Sequence, residues 1–175
     1  MRRSLRISFR KFERLDLSLF SFLSDEQNTI FENANNLEML ADKTAIDDYS
    51  RHACVTTMLD GKPLLIAGYY KLDESTAHCF ILPDRRIKQY PKAFVHATKC
   101  WLRWLEGRQW CERIQTTSIP AKLIDRWMEA LGFVCEETLN GYTEAGQDYK
   151  LWSRVKLNGV WGTVQKPEQA NGPEQ

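Results

Sequence analysis

Arg85, Arg86, Lys88 and Lys92 put four cationic side chains into eight residues, with Gln89 and Tyr90 as uncharged donors between them. Side chains of these types hold anions through charge-assisted hydrogen bonds, and a phosphate or carboxylate is the natural ligand. Pro91 follows at once, and proline fits the first turn of a helix because its missing N–H costs nothing there. The spacing therefore places a basic loop at a helix N-terminus, where backbone N–H groups and the helix dipole also favour negative charge. The plainer reading is that the same cations form a solvated face or meet some other acidic surface.

Other chemistry-bearing residues are scattered. Asp73, Glu74 and Glu112 are carboxylates near expected strand ends, candidates for a general base and also ordinary surface charges. His78 sits in an apolar run and reads first as a partly buried strand histidine. The three histidines show no H-E-x-x-H spacing. The five cysteines, Cys54, Cys79, Cys100, Cys111 and Cys135, include no C-x-x-C pair, and their number is odd. That pattern predicts buried free thiols rather than disulfides or a metal site. Trp101, Trp104 and Trp110 gather around one segment; Trp101 reads as core, and Trp104 falls beside the buried stripe as a candidate partner contact. Arg2, Arg3, Arg6, Arg10, Lys11 and Arg14 make a basic N-terminus that would suit nucleic acid or an acidic partner.

The 175 residues carry a net charge of +1, so no global field draws the chain to nucleic acid. No apolar run reaches the roughly 18–20 residues of a membrane span. The expected setting is a soluble protein of the cytoplasm.

The elements that position the basic loop follow from pattern. A strand is expected over residues 5–9. An amphipathic helix over 14–23 would place Leu15, Leu19, Phe20 and Leu23 on one face, and a second helix runs through Ile30, Phe31, Ala34, Leu37 and Leu40. Residues 53–59 and 63–70 read as strands joined at Asp60-Gly61, a strong hairpin signal. A third strand spans 77–82 and leads to the basic loop. From Pro91, the residues Phe94, Ala97, Thr98, Trp101, Leu102 and Leu105 recur at helical spacing up to Gly107. A strand over 111–118 follows, with Ile114 inward. The next helix has Leu123, Ile124, Trp127, Met128 and Leu131 as its stripe and closes on Gly132-Phe133. Two strands come last, ending near residue 155. The composition after Lys156 turns polar and Gly/Pro-rich, so residues 1–156 are expected as one domain and 157–175 as a flexible tail.

This order, β-α-α-β-β-β-α-β-α-β-β around a mostly antiparallel central sheet, resembles the GNAT acyl-CoA N-acyltransferase fold, an α/β (α+β mixed) class. The segment 119–134, ending in Leu131-Gly132-Phe133-Val134, is its most specific local feature. The pieces 55–67, 92–105 and 116–134 are also similar to a GNAT-like family of tailed phages, with internal virion and morphogenesis roles. That resemblance implies virion assembly, phage structural proteins as partners, and the host cytoplasm or the virion as location. The wider resemblance implies the alternative, an N-acetyltransferase using acetyl-CoA on a small-molecule or protein amine. A nucleic-acid-binding accessory role is a third option.

The resemblance also implies a cofactor loop of the form Arg/Gln-x-x-Gly-x-Gly/Ala, whose amides hold the CoA diphosphate. Here Arg85, Arg86, Lys88, Gln89, Tyr90 and Lys92 occupy that place. Aligned on Arg86, the glycine positions hold Gln89 and Pro91; aligned on Arg85, they hold Lys88 and Tyr90. Neither register supplies a glycine. The family's proton donor to the CoA thiolate, often a tyrosine four residues before the Gly-Phe pair, corresponds to Met128; Tyr90 and Tyr142 are the substitutes. The expectation is a degenerate loop that has given up acetyl-CoA, unless its cations replace the lost backbone contacts.

Overall fold

The computed structural model describes residues 6–13, 16–20 and 54–162. The helix expected through residues 30–40, the basic residues Arg2, Arg3 and Arg14, and the segment from 163 onward lie outside them. The chain divides into two compact units, Met1–Cys111 and Glu112–Gln175.

The first unit opens with β1 (Ile7–Lys11) and a single helical turn, α1 (Asp16–Leu19). It continues with β2 (Val55–Leu59), β3 (Lys62–Lys71) and β4 (Thr76–Pro83). A 3-10 turn at Arg85–Lys88 leads into α2 (Pro91–Glu106). The four strands form an antiparallel meander in chain order, with Ile7 opposite Leu59, Val55 opposite Ala67 and Gly68 opposite Phe80. Asp60 and Gly61 both take positive φ, 49° and 78°, as a two-residue hairpin of matching twist requires. In β3, Leu64, Leu65, Ile66 and Ala67 are all buried. A continuous apolar run of this kind marks a strand covered on both faces. One of the elements it meets is α2, whose buried stripe is Phe94, Ala97, Thr98, Trp101, Leu102 and Leu105.

The start of the chain departs from expectation. Of the helix expected over residues 14–23, the described residues 16–19 are helical as α1, but Leu19 is exposed and Phe20 is buried. The reason lies in Asp16, whose carboxylate is 1% exposed. It accepts from the Arg10 guanidinium, from the Glu13 N–H at 3.0 Å and from the Thr56 hydroxyl at 2.6 Å. A buried carboxylate is tolerated when it is paired and hydrogen-bonded in this way. These bonds fix α1 against β1 and β2 through a polar anchor, so Leu19 has no need to face inward. Phe20 instead joins Cys54, Ile66 and Leu82 in a small core cluster. Burial pushes the Cys54 thiol up to about 12, so it stays protonated. Cys79 and Cys111 are also buried, while Cys100 and Cys135 are half-buried, and all five are free thiols.

The second unit contains β5 (Arg113–Ser118), α3 (Lys122–Ala130), β6 (Val134–Leu139), β7 (Tyr149–Leu157) and β8 (Val160–Gly162). β7 lies between β5 and β6, antiparallel to both, and β8 pairs with its last residues, 155–157. The strand β8 falls where the composition suggested a tail. Asn158 and Gly159, both at positive φ, fold back a hairpin that lets Trp161 pair opposite Lys156. A register shift between Cys135 and Glu137 frees Glu136 from the ladder. Its carboxylate takes two hydrogen bonds from the Arg113 guanidinium and one from the Ser153 hydroxyl at 2.6 Å. The bond to Arg113 is the main reason that Glu136 titrates below the usual carboxylate range.

The stripe expected on α3 is only partly realised: Met128 is buried and Leu131 follows buried, but Leu123 is 49% exposed. Leu123 sits in the first turn of a nine-residue helix, ahead of the part that packs. The C-terminus closes as a Schellman motif. The Phe133 N–H donates to the Met128 carbonyl and the Gly132 N–H to the Glu129 carbonyl, each at 2.9 Å. Gly132 has φ of 83°, and the Arg154 guanidinium donates to the Leu131 carbonyl beside it. A Cβ at Gly132 meets ordinary contact with Arg154, so the cost of a side chain there is conformational. Gly132→Ala is expected to lower stability by about 1–2 kcal/mol, the left-handed penalty, measured as a shift in the urea midpoint with unchanged m. Leu123→Ala, on the exposed side of the same helix, should move the midpoint far less.

Candidate functional site

The basic segment is more ordered than a loop. Asp84 ends the strand region, its N–H donating to the Leu64 carbonyl of β3 at 2.9 Å. Its carboxylate, 1% exposed, then caps the 3-10 turn by accepting from the Arg86 N–H at 2.9 Å and the Arg86 Nε at 2.6 Å. Asparagine and aspartate are favoured at such starts because a short side chain reaches the backbone two residues on. Ile87 points inward and is fully buried. The turn thus has an apolar pin on one side and a carboxylate latch on the other.

This geometry decides which amides face out. The Ile87 N–H donates to Asp84, the Gln89 N–H to Arg86, and the Tyr90 N–H to both Arg86 and Ile87. Pro91 has no N–H. α2 starts without a side-chain cap and without an acidic residue in its first turn. The N–H groups that a helix start leaves without an intrahelical partner are here those of Lys92 and Ala93. The side chains sort equally clearly. Arg85, Lys88, Gln89 and Lys92 are exposed, Tyr90 is half-buried, and Arg86 is committed to Asp84. All six residues singled out in the sequence therefore lie on one turn and the helix start that follows it. Asp84, which organises them, carries no sign in the sequence beyond its position two residues before Arg86.

These residues can be tested against a CoA diphosphate. A glycine-type cradle needs a run of amides pointing at the phosphates, and the Arg86, Ile87, Gln89 and Tyr90 amides are turned to internal acceptors. That mode does not fit. Three exposed cations beside the uncapped end of α2 do fit a phosphate, held by side chains together with the Lys92 and Ala93 amides.

The remaining candidates are placed apart from this chemistry. Asp73 accepts the Ser75 and Thr76 N–H groups, each at 2.7 Å, and closes the turn between β3 and β4. The Ser75 backbone bond is the main cause holding its carboxyl below the usual range, the opposite of a base poised near neutrality. Glu74 and Glu112 are exposed. Met128 is buried; Tyr142 is exposed, with its ring 5.3 Å from that of Tyr149. The second unit also has a shallow pocket of about 290 Å³ that includes Asp125, Lys150 and Trp152. Lys150 donates to one oxygen of Asp125 at 2.7 Å across it, and Glu129 lines it as well. Among the described residues, no group of three or more His, Cys, Asp or Glu could hold a metal ion, and no helix is long and apolar enough to cross a membrane.

Asp84→Ala removes the cap of the turn and should cost about 1–2 kcal/mol of stability, read by chemical denaturation. His78 in β4 stacks on Tyr70 at 4.9 Å, and burial lowers its pKa. An imidazole that resists protonation when folded but accepts a proton near 6.5 when unfolded stabilises the native state above that pH. Stability should fall as the pH drops from about 6.5 toward the lower folded value, and His78→Gln should flatten that slope in melting experiments.

No protein-family model and no curated protein matches this sequence. Solved structures do. An acetyltransferase of the GNAT family from Bacillus anthracis is similar over 86% of this chain and 95% of that one, with 19% identity and a TM-score of 0.65. The ribosomal-protein-S5-alanine acetyltransferase of Vibrio fischeri is similar over 88% and 95%, with 16% identity and a TM-score of 0.61. Ard1 from Thermoplasma volcanium is similar over 87% and 99%, with 15% identity and a TM-score of 0.59. At these identities the likeness is one of fold: the chain has the mixed α/β fold of the GNAT acetyltransferases, with eight strands and helices among its described residues.

Proposed function

We propose that this chain is an acyl-CoA-dependent N-acyltransferase that binds its cofactor's diphosphate by side chains in place of a glycine cradle. The observation that carries the reading is the start of α2. The longest described helix begins with no acidic residue in its first turn and no capping side chain, and exposed Arg85, Lys88 and Lys92 stand around it. An anion there would satisfy the Lys92 and Ala93 amides and the three cations together. The similarity to acetyltransferase structures supplies the kind of anion.

In this reading Arg85, Lys88 and Lys92 bind phosphate, Gln89 and Tyr90 donate neutral hydrogen bonds at the rim, and Arg86 holds the turn through Asp84. When bound, acetyl-CoA supplies an acyl group already activated as a thioester. The acceptor is an amine of a small molecule or a protein. Met128 in the place of the family's tyrosine assigns proton return to another donor. The virion-assembly reading implied by the phage resemblance is favoured by no observation on the described residues. The nucleic-acid reading leans on the N-terminal basic residues and the Arg85–Lys99 group; of the former Arg6, Arg10 and Lys11 are described and Arg10 is committed to Asp16, and no observation on the described residues favours it.

A ligand that binds only the folded state raises stability by RT ln(1 + [L]/Kd), about 2.7 kcal/mol at a hundredfold excess over Kd. Acetyl-CoA at millimolar concentration is therefore expected to raise the Tm by several degrees. The double variant Lys88→Glu/Lys92→Glu should abolish the shift while leaving the unliganded protein folded, its Tm unchanged or raised by a few degrees, since both side chains are exposed and a carboxylate at position 92 suits the helix dipole. Adding 0.5 M salt should shrink the shift, because contacts made by exposed cations are screened. No shift with acetyl-CoA, or a shift that survives the double charge reversal, would overturn the proposal.

A further inference from the structure

A row of rings and cations runs beside the C-terminal end of α2, about 18 Å along the helix from Lys92 at 1.5 Å per residue. The Lys71 ammonium lies 3.8 Å from the Trp110 ring centroid. The Trp110 and Tyr69 rings are 5.7 Å apart, and the Tyr69 and Trp104 rings 6.3 Å. The Arg108 guanidinium lies 4.0 Å over Trp104. All five residues belong to the first unit. Tyr69 is buried and anchors the row to β3; Lys71 and Arg108 are exposed, and Trp104 is 39% exposed. Leu72 is exposed next to Lys71.

Three features define what this surface fits. Neither Lys71 nor Arg108 pairs with a carboxylate among the described residues, and the nearby Asp73 is occupied by its own turn. Their charges are therefore open to an outside anion. Both cations are also held over rings, so less side-chain freedom is lost when a ligand arrives. A guanidinium held over an indole can still present its N–H edge outward, and that edge matches a carboxylate with two parallel bonds. A nucleic acid would use the surface differently, by stacking bases on bare aromatic faces. Here Arg108 already covers a face of Trp104 and Lys71 a face of Trp110, and both rings have Tyr69 as a further neighbour. The outward chemistry is two fixed cations flanking a limited apolar strip.

We propose that Lys71, Trp104, Arg108 and Trp110 form a docking surface for an acidic polypeptide segment. Its carboxylates meet Arg108 and Lys71, and an apolar side chain between them meets Trp104 and Trp110. The surface is separate from the residues assigned to phosphate binding, so it stands whether or not acetyl-CoA binds.

The test uses the full chain and three fluorescein-labelled probes in 50 mM salt: a 14-residue peptide alternating Glu and Leu-Gly, the same peptide with Gln for Glu, and a 14-nucleotide oligo-dT. Anisotropy should report binding of the Glu peptide, and at least tenfold weaker binding of the other two. Arg108→Ala and Lys71→Ala should each weaken the Glu peptide fivefold or more. Arg108→Lys, which keeps the charge but loses the planar fork, should fall between Arg108→Ala and the parent. Arg85→Glu/Lys88→Glu at the other end of α2 should leave binding within twofold. Far-UV circular dichroism checks that each variant is folded; should Arg108→Ala unfold, the comparison of Arg108→Lys with the parent decides. Absence of Glu-peptide binding, equal binding of the Gln peptide, tighter oligo-dT binding through the same residues, or indifference to Arg108 and Lys71 would each overturn the proposal.

Discussion

The junction between β4 and α2 hangs on one buried carboxylate. Asp84 gives its N–H to the β3 residue Leu64 and its side chain to Arg86, so the last rung of the strand pair and the first turn beyond it share a residue. A carboxylate this deep needs strong donors, and the Arg86 amide and guanidinium provide them. Once that latch is set, Ile87 is driven inward and the amides of Ile87, Gln89 and Tyr90 close on carbonyls behind them. The direction of the basic face is then decided: Arg86 turns back, while Arg85, Lys88 and Lys92 are left outside.

The same latch changes how an anion can be held. A glycine loop presents amides in fixed directions and recognises phosphate by shape. A row of exposed cations recognises it by charge, with less geometric demand and more sensitivity to salt. On the proposed function, bulky residues at the glycine positions go with a different mode of recognition. Taken from the sequence alone, it reads as loss of the site. The turn's hydrogen bonding refines that inference, because it separates the amides that are consumed from the two at the start of α2 that are not.

Local signals carried most of the fold that surrounds this junction. The Asp60-Gly61 turn, the helix from Pro91 to Glu106 and the close of α3 at Gly132 are each written in a few adjacent residues, and each stands where its chemistry put it. Gly107 is a partial case: it does end α2, but at a φ of −72°, so its left-handed freedom is unused. Signals that depend on distant partners were not legible. Leu19 and Leu123 match an apolar stripe by spacing, yet α1 is fastened by Asp16 and α3 packs only through its later turns. The strand β8 was hidden by composition, since Asn158-Gly159 reads equally as a hairpin or as the start of a polar tail. At the candidate site, the cations were visible as a cluster. The latch was not, because nothing in a lone aspartate announces that it will be buried. Of the ring-and-cation row, Trp104 and Trp110 were visible as neighbours on one segment, with Trp104 beside the buried stripe; that Tyr69 and Lys71 meet them was out of reach, because it comes only from the packing of β3 on α2.

The two ends of α2 carry opposite electrostatic logic. At its C-terminus Arg103 lies in the last turn, where a cation complements the partial negative charge of the helix end. At its N-terminus the sequence does the reverse, placing Lys92 in the first turn with no acid and no cap. Each charge set against the dipole forgoes roughly 0.3–1 kcal/mol that a carboxylate there would have contributed. Departures from local stability rules concentrate where a protein binds something. The Asp84 latch makes the departure affordable, since it orders the turn from the buried side and leaves the exposed side free to be cationic. On that argument the start of α2 is the place in the described chain where the proposed function sets an anion.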